Sequence, residues 1–239
     1  MERFWRDLRW LWGTSWPLYA ATVLGTNVIA AIGSMLFVRY LIPMPEVREL
    51  GLGGQLGAIG VIYAAVAVVL GVVVTLYLFR PVLEWQRHPD GHDPNMVRHL
   101  VMRLPVLQTI IVVGVWGIGI AIVTAGAWRV DARLATVVLA TASLTAFVTA
   151  VLTYLQAERL VRPIAASALA RRFEDSTLQP PIKWQLYLTW FTTSAVPMVG
   201  VLLLTVAQRH GYFTGNVGEL TSAIVALITA GMATGFVGT

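Results

Sequence analysis

The sequence contains no cysteine, and few of its side chains carry a charge. The lack of cysteine among 239 residues excludes disulfide bonds and thiolate metal sites. Aspartate, glutamate, lysine and arginine make up 12% of the residues, whereas a soluble domain usually carries about a quarter. A soluble protein of this composition could not cover its surface with polar groups. The chain is therefore predicted to be an integral membrane protein.

The motifs of several enzyme and transporter classes are also lacking. The sequence has no P-loop, no Gly-rich dinucleotide motif, no HExxH pattern and no nucleophile–base constellation. No long apolar stretch carries Asp, Glu or Lys near its centre. This argues against a proton-coupled transporter, because such proteins need ionisable residues along the transport path.

Six long apolar stretches make up most of the chain. At about 1.5 Å per residue, each can cross a hydrocarbon layer of ~30 Å, and their continuous apolar character disfavours β-barrel strands. We predict an all-α membrane protein with a cytoplasmic amphipathic segment at residues 1–17 and a six-helix transmembrane bundle at 18–239. The predicted spans are Leu18–Leu41, Gln55–Phe79, Pro105–Ala127, Leu134–Leu155, Leu186–Ala207 and Leu220–Val237.

The distribution of basic residues predicts the orientation of the bundle. Twelve of the 17 lysines and arginines lie before the first span, between spans two and three, or between spans four and five. The positive-inside rule places these segments and both termini in the cytoplasm, where they would meet anionic lipid headgroups. The net charge of +5 is then a membrane-surface feature and does not argue for nucleic acid as a partner.

The two longer cytoplasmic connections are predicted to begin as helical extensions of spans two and four. Both carry Arg-Pro followed by a β-branched residue, at Arg80–Pro81 and at Arg162–Pro163. The offset of 82 residues suggests a weak helical-hairpin repeat, with chance as the alternative. These four residues are candidates for coupling the membrane region to cytoplasmic parts.

The segment His88-Pro-Asp-Gly-His-Asp-Pro94, followed by His99, is the densest group of metal-capable side chains. Its prolines and glycine break any helix that would bring His88 and His92 to one face. We therefore interpret it as a polar turn that caps a helix starting near Asn95. No catalytic, cofactor or metal site is predicted in this chain.

Four polar or irregular positions within the spans are candidates for ligand binding or helix contact. Arg39 could bind an anionic group, or extend to the headgroups beside Tyr40. Asn27 could bond another helix and help to fix dimer register, or it could bond a local carbonyl. Pro197 predicts a kink in the fifth span.

Hydroxyl and glycine residues of the spans leave further alternatives open. Six threonines and serines in the fourth span could line a polar pore or could bond their own helix backbone. Small residues at helix-contact spacing favour close packing within the bundle or between protomers. These pairs are Gly53 with Gly57 and Gly231 with Gly235.

Three segments resemble one group of bacterial adenylyl cyclases. Residues Thr26–Gly33 with Leu41–Glu46 resemble their first span and outer exit, and Glu158–Leu169 resembles the segment after their fourth span. Thr189–Leu203 resembles their fifth span, with its Val-Pro-x-Val-Gly core. These are the mycobacterial-type class III enzymes, which have six spans, a HAMP linker and a catalytic domain. The likeness extends over nearly the whole chain.

The resemblance implies the membrane region of a homodimeric enzyme of the bacterial plasma membrane that forms cyclic AMP from ATP. Neither the HAMP helices nor the metal-binding aspartates of the cyclase have a counterpart here, so no catalytic residue is carried over. The sixth span runs to Thr239 without a basic anchor, and we expect the HAMP linker and a catalytic domain that uses Mg²⁺ or Mn²⁺ to follow. Short outer loops favour a lipid or fatty acid sensed within the membrane. A free-standing transporter or channel, or the sensor of another HAMP-linked enzyme such as a histidine kinase, stays open.

Overall fold

Helices make up nearly all of the structure. The computed structural model describes residues 10–42, 52–88, 94–169, 182–212 and 217–238, and 94% of these are helical, with no strand among them. The six long helices are α1 (Trp16–Leu36, continued by a π-helical turn at Phe37–Leu41), α2 (Leu52–Arg87), α3 (Pro94–Trp128), α4 (Ala132–Leu169), α5 (Ile182–Trp190, a π-helical turn at Phe191–Ala195, and Val196–Arg209) and α6 (Val217–Gly238).

Five of these helices are long and apolar enough to cross a membrane. Their outward faces are apolar, as a lipid environment requires, with Ile29 and Met198 each more than 70% exposed. The all-helical fold is confirmed, and its long apolar helices agree with the predicted membrane protein. α6 has 22 residues but a shorter apolar stretch, Leu220–Ala233, so a sixth span stays a prediction. The five candidate spans are Trp16–Leu41, Gly57–Arg87, His99–Trp128, Ala132–Ile164 and Leu186–Arg209.

Helices α2 and α4 continue past the predicted spans, as the sequence suggested. α2 runs through Pro81 to Arg87, and α4 runs through Pro163 to Leu169. α3 begins at Pro94, close to the predicted start near Asn95. Pro105 lies inside α3, so the proline at the start of the third predicted span does not open a new helix.

Helices α1 to α4 share a core at the end of the bundle where α1 begins and α2 ends, which we call the proximal end. Tyr19 and Phe79 stack there with ring centroids 4.9 Å apart. All four helices supply buried side chains to this proximal cluster. At the opposite end of the bundle, α3 and α4 are joined by a tight turn at Asp131, whose carboxylate accepts from the backbone N–H of Arg133 and Leu134. The fully buried members of the cluster are Tyr19, Val23, Phe79, Val82, Val101, Leu104, Ala157 and Val161.

A second core lies at the opposite, distal end and attaches α5 and α6. This distal cluster joins Ile42, directly after α1, to the α3–α4 turn region. Leu204 of α5 and Ala223 of α6 are buried in the same cluster, and the π-helical turn of α1 contacts α6. α5 and α6 otherwise pack mainly on each other. The distal cluster is therefore the main attachment of the α5–α6 pair to the other four helices.

Candidate intramembrane ligand site

A hydrogen-bonded network centred on Asn27 joins three helices. The Asn27 side-chain N–H₂ donates to the backbone carbonyl of Val23 at 2.8 Å and to the hydroxyl of Thr153 on α4 at 3.2 Å. The indole N–H of Trp116 on α3 donates to Asn27 Oδ1 at 3.0 Å. Both roles considered for Asn27, the local carbonyl and the contact with another helix, are thus present at once. The partners all belong to the same chain.

Thr26 makes a neighbouring contact between α1 and α4. Its hydroxyl lies 2.9 Å from Gln156 Oε1 and 2.9 Å from the carbonyl of Thr22. Because a hydroxyl has one proton, it donates to one of these oxygens at a time. Together with Asn27 it fixes the register of α1 against α4, since neither pair forms if one helix slides by a turn.

Replacing Asn27 with leucine is expected to lower the free energy of unfolding by about 1–2 kcal/mol. The change leaves the Trp116 indole and the Thr153 hydroxyl without their Asn27 partner. Unfolding in mixed micelles, followed by tryptophan fluorescence, measures the effect. The matched control is Thr136→Val, because the exposed Thr136 hydroxyl donates to the Ala132 carbonyl of its own helix. Equal stability of the two variants would contradict the prediction.

The threonines of α4 mostly bond their own helix. Thr136, Thr145 and Thr149 donate to the carbonyls of the residues four positions earlier, at 2.7–2.9 Å. Thr149 is buried, and Thr153 takes part in the Asn27 network. The described hydrogen bonds therefore favour backbone bonding over a polar pore as the role of these hydroxyls.

A cavity of about 160 Å³ lies between α1, α2 and α3, with Ala142 of α4 also on its wall, and is partly open to its surroundings. Its wall is mainly aliphatic, with polar atoms supplied by a few side chains, among them Asn27, Tyr63 and Trp116. An engineered apolar cavity of ~150 Å³ can hold benzene, so this one is large enough for part of a lipid chain. The aliphatic wall comprises Leu24, Val28, Ala31, Ala64, Ala67, Val68, Ile111, Val112, Val115, Ile120, Val123 and Ala142.

Glycines let the helices around the cavity approach each other. A Cβ atom on Gly119 would lie 2.6 Å from the Tyr63 ring, and one on Gly71 would lie 2.7 Å from Leu24. The glycine at 119 lets Tyr63 lie against α3, where its hydroxyl donates to the carbonyl of Val115. Tyr63 therefore ties α2 to α3 beside the cavity without occupying it.

Gln108 lines the same cavity toward its proximal end. The residue is 2% exposed, and its Oε1 has no hydrogen-bond partner among the described residues. A buried amide oxygen left without a donor costs roughly 1–3 kcal/mol. The residue lies on the cavity wall but the oxygen itself is enclosed, so a ligand could donate to it after a turn of the Gln108 side chain.

Pro197 and Gly231, predicted separately, contact each other between α5 and α6. Pro197 follows the π-helical turn Phe191–Ala195, a common cause of helix bending. A Cβ on Gly231 would lie 2.3 Å from Pro197 Cγ and 3.3 Å from the carbonyl oxygen of Thr193. Pro197 has no N–H to donate to that carbonyl, four residues earlier. Because Gly231 has no side chain, α6 can pack closely against Pro197 and the π-helical turn of α5.

The other candidates lie away from the cavity. Arg39 and Tyr40 are both exposed on the π-helical turn of α1, with the guanidinium carbon 5.3 Å from the ring centroid. A Cβ atom added to Gly57 would lie 4.0 Å from the terminal methyl carbon of Met35. This arrangement agrees with Arg39 extending toward headgroups beside an aromatic residue.

The two Arg-Pro pairs take part in local ion pairs. Arg80 bonds Glu84 at 2.7 Å and Arg162 bonds Glu158 at 2.9 Å, each four residues apart on its own helix. The Arg80–Glu84 pair is exposed, whereas Glu158 is largely buried. Pairs four residues apart on one helix contribute about 0.3–0.5 kcal/mol when exposed. Pro81 is half-buried and Pro163 is exposed.

Some predictions fall outside the described residues. His92 and Asp93 lie in the undescribed stretch 89–93, and the surroundings of Gly53 and Gly235 are not described. His88 and His99 are exposed. Within the described residues, no three His, Asp or Glu side chains are grouped as a metal site would need.

Sequence reasoning missed Gln108, Tyr63 and Trp116. A signal was available for Gln108, since an amide within an apolar span must find a partner in the membrane. For the two aromatic residues nothing in the sequence separates a cavity wall from a lipid-facing side.

The fold and this site define a helical protein with long apolar helices and a mainly aliphatic cavity between its first three helices, whose wall includes the amide side chains of Asn27 and Gln108. Comparisons with protein-family models, with curated proteins and with solved structures found no match to the chain.

Proposed function

We propose that this chain is the membrane-anchoring, dimerising and signal-sensing region of an adenylyl cyclase in the bacterial plasma membrane. The observation that carries the sensing role is the cavity between α1, α2 and α3, which suits a lipid-like ligand. The link to cyclic AMP synthesis rests on the resemblance of Thr26–Gly33, Glu158–Leu169 and Thr189–Leu203 to the cyclase membrane regions.

The proposed topology has six spans with both termini in the cytoplasm. The length of α6 supports the sixth span, because 22 helical residues extend about 33 Å, close to a hydrocarbon layer of ~30 Å. The excess of basic residues at the proximal connections supports the orientation, and it favours contact with anionic headgroups there.

Two helices, α1 and α3, connect the cavity to the surface on which α6 packs. Residues Leu24 to Ser34 of α1 line the cavity, and α1 then continues into the π-helical turn Phe37–Leu41, which contacts α6 at the distal cluster. Val123 of α3 belongs to both the cavity wall and the distal cluster. A ligand that shifts α1 or α3 therefore also shifts the surface on which α6 packs.

The output of this arrangement is a movement of α6. Small translations and rotations of packed helices are a known way to bias a two-state element, and π-helical turns are frequent at functional positions. We propose that α6 passes this movement to a HAMP linker, which sets the distance between two catalytic halves of a homodimer. Mg²⁺ or Mn²⁺ would act in that catalytic domain.

The test of the enzymatic part is the coding sequence beyond Thr239, followed by cyclase assay of the complete gene product in membranes. The proposal expects a HAMP segment, a cyclase domain with two metal-binding aspartates, and formation of cyclic AMP from ATP. A stop codon after Thr239, or a histidine-kinase domain in that place, would contradict it. A stop codon would make solute flux in liposomes the next measurement.

A further inference from the structure

The cavity is lined by neutral side chains alone. The described residues of its wall include no lysine, arginine, aspartate, glutamate or histidine. Arg103, the nearest preceding cation on α3, lies more than one turn before Gln108 and is exposed. An ionised ligand group placed here would lose its hydration without gaining a counter-charge, which is strongly unfavourable. The chemistry of the wall thus favours an uncharged ligand.

Gln108 indicates that the ligand also carries a hydrogen-bond donor. Its buried Oε1 has no donor within the described structure, and the residue forms part of the cavity wall. A pure hydrocarbon would leave this oxygen unpaired, whereas a hydroxyl group can donate to it once the Gln108 side chain turns toward the cavity. A hydroxyl also accepts, so it complements the side-chain amide in either orientation of its oxygen and nitrogen.

We infer that the cavity binds a neutral lipid with a single hydroxyl head, held by a hydrogen bond to Gln108. The inference deepens the proposed function and rests on the sensing part of it. The hydroxyl lies at the proximal end, beside Gln108. The first part of the chain occupies the aliphatic space lined by Ala64, Ala67 and Val68, and the remainder leaves through the open side into the bilayer. A fatty acid in its carboxylate form is the ligand that this wall rejects.

The test is photolabelling of the intact protein in phosphatidylcholine nanodiscs. The probe is a decanol analogue with a diazirine on its chain, and the labelled peptides are located by mass spectrometry. Unlabelled decanol, decane and ionised decanoate then compete with the probe. We expect labels on α1, α2 and α3, with decanol competing at roughly tenfold lower concentration than decane or decanoate, as one neutral hydrogen bond allows.

Gln108→Leu is the decisive variant, and Thr109→Val is its matched control. Thr109 neighbours Gln108 on α3, but its hydroxyl donates to the carbonyl of Pro105 and does not line the cavity. Gln108→Leu is expected to make decanol and decane equal as competitors, whereas Thr109→Val keeps the preference. Gln108→Leu should also raise the unfolding midpoint of the ligand-free protein, because it removes an unpaired buried oxygen.

The outcomes separate this inference from the proposed function. Equal competition by decane or decanoate in the unaltered protein, or a preference that survives Gln108→Leu, would overturn the hydroxyl-lipid inference and leave intramembrane sensing standing. Absence of any label on the cavity helices would overturn both. If Gln108→Leu does not fold, Gln108→Met, closer in shape to glutamine, replaces it with the same expectation.

Discussion

Ala67→Phe is expected to abolish labelling of the cavity by the lipid probe, with at least a tenfold loss. Ala67 lies on the α2 side of the cavity wall and is only half-buried, so a larger side chain can turn into the free space. A phenyl ring is close in size to the benzene that fills a ~150 Å³ cavity, and the cavity here measures about 160 Å³. The measurement is photolabelling in nanodiscs.

Ala65→Phe is the matched control for this experiment. Ala65 lies on the same helix two positions earlier, is exposed, and does not belong to the cavity wall. The same substitution there adds the same apolar surface toward the bilayer, so labelling should be unchanged. Full labelling of Ala67→Phe, or equal losses in both variants, would place the lipid site elsewhere on the protein.

Gly231→Ala is expected to lower the free energy of unfolding by about 1–3 kcal/mol, the usual range for overpacking at a close contact. The added methyl group would lie 2.3 Å from Pro197 Cγ and 3.3 Å from the carbonyl oxygen of Thr193. The proline ring and the backbone cannot turn aside as a flexible side chain does, so α6 must move away from α5. Unfolding in mixed micelles measures the loss.

Gly218→Ala on the same helix provides the contrast. A Cβ at Gly218 meets nothing within 4 Å, so its replacement should change stability by no more than about 0.5 kcal/mol. The double variant Gly231→Ala with Pro197→Ala should recover part of the loss, because the contacting ring is gone. A Gly231→Ala protein as stable as Gly218→Ala would contradict the close packing of α5 on α6.

The helical membrane fold could be predicted from the sequence because it depends on composition and run length alone. The extensions past Phe79 and Leu155 were predicted for a similar reason, since the apolar and polar pattern continues through them. The sequence did not decide whether the helix that starts near Asn95 continues through Pro105. A proline inside a long helix is tolerated when neighbouring helices hold both sides of it, and only the packing of α3 on α4 shows that this condition is met.

Only part of the candidate site could be predicted from the sequence. Asn27 could be singled out because an amide in an apolar span must bond something, but the sequence could not choose between Val23 and Thr153 as its partner, and the structure uses both. Pro197 and Gly231 were each identified, yet their contact depends on how α5 and α6 face each other. The cavity depends on how three helices are rotated relative to one another. This rotation cannot be predicted from apolar runs of nearly uniform composition.

Biosynthesis delivers these helices to the membrane in chain order, at about 5–20 residues per second. The proximal cluster, the Asn27 network and the wall of the cavity are all built from α1 to α4. These four helices can therefore assemble, and enclose a lipid from the surrounding bilayer, while α5 and α6 are still being translated. If the cavity binds a lipid as proposed, the nascent protein would meet that lipid before α6 has been made.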